Sequence, residues 1–274
     1  MANTSSPLAP SSGSAQFNHV VLVVEENHSF SEVVGNSAMP YLNSLAKQYG
    51  LATQYYANMH PSIGNYFELT AGQTVTNDDG IAGPIDVNNI VRVLVAAGKT
   101  WKSYAEALPS VGYISGDAYP YVKHHNVLTY FTDVTQSSTQ AQNIVPFSQF
   151  ASDLSKNALP NFSFVVPDLL NDAHDGPLNV ADAWLQKNVS GLISSSLFQN
   201  DGLLIVVFDE SEGTDTEHGG GHVAAVIVSP KAKKGYQSTT LYQHQSTLRL
   251  ILGGLGVSSY PGDAAQAPDM SEFF

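Results

Sequence analysis

The chain has 274 residues, 43% of them hydrophobic, enough to bury a substantial core in one large α/β domain or two small ones. Its 11 Lys and Arg against 24 Asp and Glu give a formal charge of -13, which excludes nucleic acid or an anionic membrane as a bulk electrostatic partner. An anionic ligand must then be attracted locally, and a bound cation is the simplest device; the absence of cysteine excludes disulfides, zinc–thiolate sites and a cysteine nucleophile.

Met1 to Gln16 is rich in Ser, Ala and Pro and has neither the basic nor the apolar region of a signal peptide. It reads as a disordered leader, 1–16, of the kind left when a signal is removed and an initiator Met added, so a secreted or periplasmic protein is expected. Residues 17–274 read as a single domain. No apolar run exceeds strand length, and stable membrane insertion is not expected.

Past the leader, strand and helix signals alternate. His19 to Val24 is a buried strand, and Met39 to Tyr49 places Leu42, Leu45, Ala46 and Tyr49 at helical spacing before a Gly50 cap. Asn88 to Ala97 is a helix closed by Gly98, followed by a short strand from Trp101 to Tyr104. From about Pro109 to Phe147 the chain is rich in Tyr, Gly, Ser and Thr without sustained periodicity, and is expected to be loops over a site. Phe162 to Val166 is a strand, Ala181 to Phe198 a long amphipathic helix, Leu203 to Phe208 and Val223 to Val228 strands, and about Gln243 to Leu252 a closing helix. Such alternation implies a mostly parallel central sheet with helices on both faces.

Three of the strands end in polar clusters. The first runs into Glu25-Glu26-Asn27-His28, the strand at 203–208 into Asp209-Glu210, and the strand at 162–166 is followed by Asp168, Asn171, Asp172, His174 and Asp175. Ligands of open α/β sheets sit outside the carboxyl ends of the strands, so these endings should converge on one site. Adjacent carboxylates repel unless something positive lies beside them, and one hard cation shared by Glu26-Asn27 and Asp209-Glu210 would resolve the repulsion.

His60-Pro61-Ser62-Ile63-Gly64-Asn65-Tyr66 leads into an apolar stretch that reads as a helix start. Ser62 there is either an N-cap or a nucleophile favoured by the helix dipole and a metal. His174 lies between carboxylates, a setting that suits a general acid or a phosphate-binding group. Of the pair His124-His125, the second is the favoured functional residue. His218-Gly219-Gly220-Gly221-His222 precedes a strand instead of opening a helix after one, which rules out a dinucleotide loop; it reads as a flexible loop near the site. Lys231, Lys233 and Lys234 read as a solvated turn.

The segments VVEENHSF, HPSIGNYFELTAG, KHHN, PDLLNDAHD, VVFDE and LYQHQSTLRLI occur in this order from about Asn18 almost to the C-terminus. In this the chain resembles a phosphoesterase family that contains bacterial secreted acid phosphatases and phospholipases C, within the alkaline-phosphatase-like superfamily. The resemblance implies one divalent metal ion, Ca2+, Mg2+ or Mn2+, held by Glu26, Asn27, Ser62, Asp209 and Glu210. It implies Ser62 as nucleophile, His125 and His174 as the catalytic histidines, and His60, Asn65 and Asp175 as substrate-binding residues. Val127 departs from the family, where Pro often follows His-Asn.

Together these features predict an acid phosphatase that hydrolyses small phosphate monoesters through a phosphoserine. The alternatives are a phospholipase C or other phosphodiesterase on the same site, and a non-catalytic calcium-stabilised binding protein. The larger phospholipases of the family carry extra C-terminal domains, and a chain ending soon after its last helix is expected to be the monoesterase.

Overall fold

The computed structural model describes residues 15–274; residues 1–14 of the expected leader lie outside the described residues. Ala15 and Gln16, the last two leader residues, already lie on the body, where Gln16 donates to Gly253 O at 3.1 Å and Phe17 packs edge-on against Phe274.

Eight strands form one sheet in the order β4-β3-β5-β1-β6-β7-β2-β8. They are β1 (His19–Glu25), β2 (Gly50–Ala52), β3 (Trp101–Ala105), β4 (Ile144–Pro146), β5 (Phe162–Val166), β6 (Gly202–Phe208), β7 (Ala225–Val228) and β8 (Tyr236–Ser238). All neighbours run parallel except β6–β7 and β2–β7. The strand β1 lies between β5 and β6, with Val23 opposite both Val165 and Val206. A central strand covered on both faces has no solvent side, which is why its sequence is a continuous apolar run and does not alternate.

Helices Ser62–Ala71, Ile90–Ala96 and His244–Gly254 pack together, and Pro40–Gln48, Leu178–Ser194 and Ser196–Asp201 form the second layer. The long helix expected to reach Phe198 ends at Ser194, because Ser195 turns to extended backbone and its hydroxyl caps Phe198 N of the next helix. Gly50 is no helix cap: it opens β2, where a Cβ would come within 2.6 Å of the Phe273 ring. The stretch expected as loops contains short helices at Thr132–Thr135 and Ser138–Ala141 and the edge strand β4. The lysines are not simply solvated: Lys231 Nζ binds Asp201 and Gln16 O, and Lys233 Nζ binds Glu272 O. Among the described residues no helix is long and apolar enough to cross a membrane.

Candidate active site

Because β5, β1 and β6 are neighbours, their carboxyl ends open on one place. Asp209 N donates to Glu25 O at 2.9 Å, and Glu26 N donates to Asp172 O at 2.8 Å, so the loops after β6 and β5 both lie against the end of β1. Asn27 turns the chain with a left-handed φ of 57°, which lets its N–H reach Asp209 Oδ1 at 3.2 Å. Asparagine tolerates that conformation better than most residues.

The helix Ser62–Ala71 aims its first residue into this place. Ser62 Oγ lies 3.1 Å from Glu26 Oε2 and 3.3 Å from Glu210 Oε1, and it is buried. The N-cap position belongs to Pro61, while Asp79 Oδ1 accepts from Ile63 N at 3.1 Å. The serine is therefore not spent on capping. Its hydroxyl is directed at carboxylates.

Burial pushes Glu26, Asp209 and Glu210 above the ordinary carboxylate range; for Glu26 and Glu210 the charge of Asp209 adds to the effect. Asp209 Oδ2 is buried with no hydrogen-bond partner. Among the described residues no group of three or more His, Asp or Glu side chains stands as a ready-made metal cage; two of the carboxylates here, Glu26 and Glu210, face the Ser62 hydroxyl. The donor chemistry nevertheless fits a hard divalent cation: the set is all oxygen, it holds an unpartnered carboxylate atom, and among the described residues no Lys or Arg pairs with any of its carboxylates. Glu26, Asp209 and Glu210, with Ser62 and Asn27 beside them, are the residues that could hold such an ion.

The histidines stand at different depths. His125 is 1% exposed, with Nε2 3.2 Å from Glu26 Oε1 and Nδ1 3.3 Å from Asp172 Oδ2, and its ring stacks on Tyr66. Burial, aided by the nearby His174, pushes it down to about 3. His124 meets the His125 ring edge-on at 4.6 Å. His174 lies nearer solvent, 35% exposed, with its ring 5.7 Å from that of His125 and its Nδ1 2.8 Å from Asp175 Oδ1. His60 places Nδ1 2.9 Å from Glu210 Oε2 and Nε2 2.9 Å from Asp215 O, so both its nitrogens are engaged, one of them with Glu210. Asn65 is fully buried, and its amide accepts from Asn58 N and Met59 N and donates to Met59 O. It fastens the loop before Ser62 and does not face a cleft.

Three participants, Tyr66, His244 and Asp79, escape a reading of the motifs, and a fourth, Asp172, is given no role by it. Tyr66 donates to Glu26 Oε1, and its position one helical turn after Ser62 is the signal that could have found it. Asp172, in the sequence only one of the polar residues after β5, has Oδ2 3.3 Å from His125 Nδ1 and accepts from His174 N at 2.8 Å through Oδ1. His244 accepts no role from spacing, yet its Nε2 lies 2.6 Å from Asp209 O and its Nδ1 3.1 Å from the Tyr55 hydroxyl. Asp79 sits in a polar loop that carries no signal at all.

A family model described as the Phosphoesterase family matches residues 36–258. The chain belongs to that family. Phosphoesterases hydrolyse phosphoric esters, and this chain is 33% identical over 258 residues to a phosphatidylinositol-3-phosphatase of Mycobacterium tuberculosis, covering 93% of the chain and 83% of that protein. It is also 33% identical over 229 residues to a phosphate-repressible acid phosphatase of Penicillium chrysogenum, covering 80% of the chain and 55% of the fungal protein, so it spans little more than half of that relative. Among solved structures, a protein of the alkaline phosphatase superfamily from Vibrio parahaemolyticus shares the fold, with a TM-score of 0.64 at 15% identity over 96% of this phosphoesterase and 70% of that chain.

Proposed function

We propose that this phosphoesterase hydrolyses phosphate monoesters as an acid phosphatase, with Ser62 as nucleophile and one divalent cation, Ca2+, Mg2+ or Mn2+, held by Glu26, Asn27, Asp209 and Glu210. The observation that carries the reading is the Ser62 hydroxyl, uncommitted to capping, set between Glu26 and Glu210 at the start of a helix. When bound, the cation would offset the facing carboxylates, draw in the phosphoryl oxygens and favour the serine alkoxide. The positive end of the helix dipole favours the same anion.

The Ser62 proton has two acceptors in reach, Glu26 Oε2 and Glu210 Oε1. Ser62 Oγ bonds to phosphorus in line as the ester oxygen leaves, and water later breaks the phosphoserine to release phosphate. His174 gives the leaving oxygen its proton: it is the histidine open to an entering substrate, held by Asp175, whereas both nitrogens of His125 face carboxylates. His125 lies behind the site, between Glu26 and Asp172. The names of both relatives, each a phosphatase, favour a monoester over a diester. Residues 17–274 act as one catalytic domain in this reading, supported by a single sheet that holds all eight strands of the described residues.

The test is hydrolysis of p-nitrophenyl phosphate between about pH 5 and 7, with and without a chelator, beside bis-p-nitrophenyl phosphate. Chelator-sensitive turnover that favours the monoester is expected. A faster diester reaction would assign the site to a phosphodiesterase, and bound calcium without turnover would make it a binding protein.

A further inference from the structure

Among the described residues five large apolar side chains stand open to solvent, and two of them, Tyr119 at 67% exposed and Leu170 at 44%, belong to two chain segments that meet at the loop carrying His174. Tyr119 is at the tip of a tight turn closed by the paired Ala118 and Tyr121. That turn is docked on the loop after β5, because Leu169 N donates to Pro120 O at 3.1 Å. The loop then folds back on itself, Asp175 N and Gly176 N both donating to Leu169 O. A Cβ at Gly176 would come within 2.1 Å of Leu170 O, so only glycine permits the fold that brings His174 and Asp175 beside Leu170. The Tyr119 phenol lies against the Asp175 carboxylate, and that carboxylate holds His174.

The charges near this rim are mostly of one sign. Asp117, Asp168 and Asp175 are acidic, and Lys123, whose backbone N–H donates to Asp117, has its ammonium over the Tyr130 ring at 4.3 Å. A leaving group bearing further phosphates would meet these carboxylates. A neutral apolar one would instead cover Tyr119 and Leu170 and remove their surface from water.

We propose that Tyr119 and Leu170 form the leaving-group subsite and select phosphate esters whose leaving group is neutral and apolar. This rests on the proposed phosphatase site, since the subsite is defined by its place beside the leaving-group histidine. Soluble aryl esters and alkyl-chain esters share the chemistry, and the test separates them.

Calorimetry with cation-supplemented protein would compare naphthylmethylphosphonate and octylphosphonate with methylphosphonate, all of which resist turnover. Wild-type protein is expected to bind at least one apolar phosphonate about tenfold tighter than methylphosphonate, equal to about 1.4 kcal/mol. A preference for the naphthyl arm alone would assign an aryl pocket, and for the octyl arm alone a chain-binding one. In Tyr119→Ala/Leu170→Ala the ratio should fall to about one, while Tyr119→Phe and the remote Val95→Ala keep it. Equal binding of all three phosphonates, or a double variant that keeps the preference, would overturn the subsite and leave the phosphatase reading intact. Wild-type protein that binds none of them would overturn both.

Discussion

Tyr66 shows how much of the site depends on side chains that would never touch a substrate. Its phenol donates to Glu26 while its ring supports His125, so one residue fixes both a candidate metal ligand and the histidine behind it. Tyr66→Phe removes the first role and keeps the second. We expect divalent-cation affinity and kcat to fall by roughly tenfold, with KM for p-nitrophenyl phosphate little changed, as read from a metal titration and steady-state kinetics. A residue of a different kind is Asp168, which burial and the charge of Glu106 push up to about 6. Its unfolded value is 3.8, so the folded state holds this proton through the window from 3.8 to about 6, and the fold loses stability as pH rises through it. Asp168→Asn keeps an oxygen to accept from Leu170 N and Asn171 Nδ2 without the charge. Denaturant midpoints should therefore match wild type near about pH 4 and exceed it above about pH 7.

At the level of elements, the glycine triplet of 219–221 is explained by packing. A Cβ on Gly219 would come within 1.9 Å of Asn58 O, and one on Gly220 within 2.7 Å of Met59 N and 2.5 Å of Met59 O. The segment after β6, which carries Asp209 and Glu210, is thus pressed directly onto the loop that leads to Ser62, and Gly220 N donates to Ala57 O at 3.2 Å. Gly220→Ala should destabilise the protein by about 1 to 3 kcal/mol and lower turnover with it. Gly116→Ala, with nothing within 4 Å, is the neutral control in thermal melts and kinetics. The sequence reading took this segment for a flexible loop near the site, because glycines needed for close approach look the same in one dimension as glycines needed for freedom. Short elements were lost for a related reason. The strands β2 and β8 have 3 residues each, too few to display a period, and they exist because the sheet edge supplies partners far away in sequence.

For the molecule as a whole, the legible parts were those encoded by continuous runs. The central strands β1, β5 and β6 are mostly apolar and almost wholly buried, and their order in the sheet makes the polar residues that follow them meet. Ser62 could be read as cap or nucleophile, and only the chain's three-dimensional course, with Pro61 as the N-cap and Glu26 and Glu210 facing the hydroxyl, separates the two. Depth was not legible either: that His125 is enclosed and His174 open depends on how the loop after β5 folds back over β1. The overall charge of -13 fits a site whose attraction for phosphate is local, and removing one hydroxyl from it should leave the fold within about 1 kcal/mol of wild type. Turnover should nevertheless fall by roughly a thousandfold or more in Ser62→Ala. The most direct measurement is acid quenching of wild-type protein during turnover of p-nitrophenyl phosphate, followed by peptide mass mapping of the phosphorylated position. Phosphate on Ser62 in wild type, and none in a folded, inactive Ser62→Ala, is the expected result; phosphate on another residue, or a fully active Ser62→Ala, would contradict the assignment of Ser62 as nucleophile.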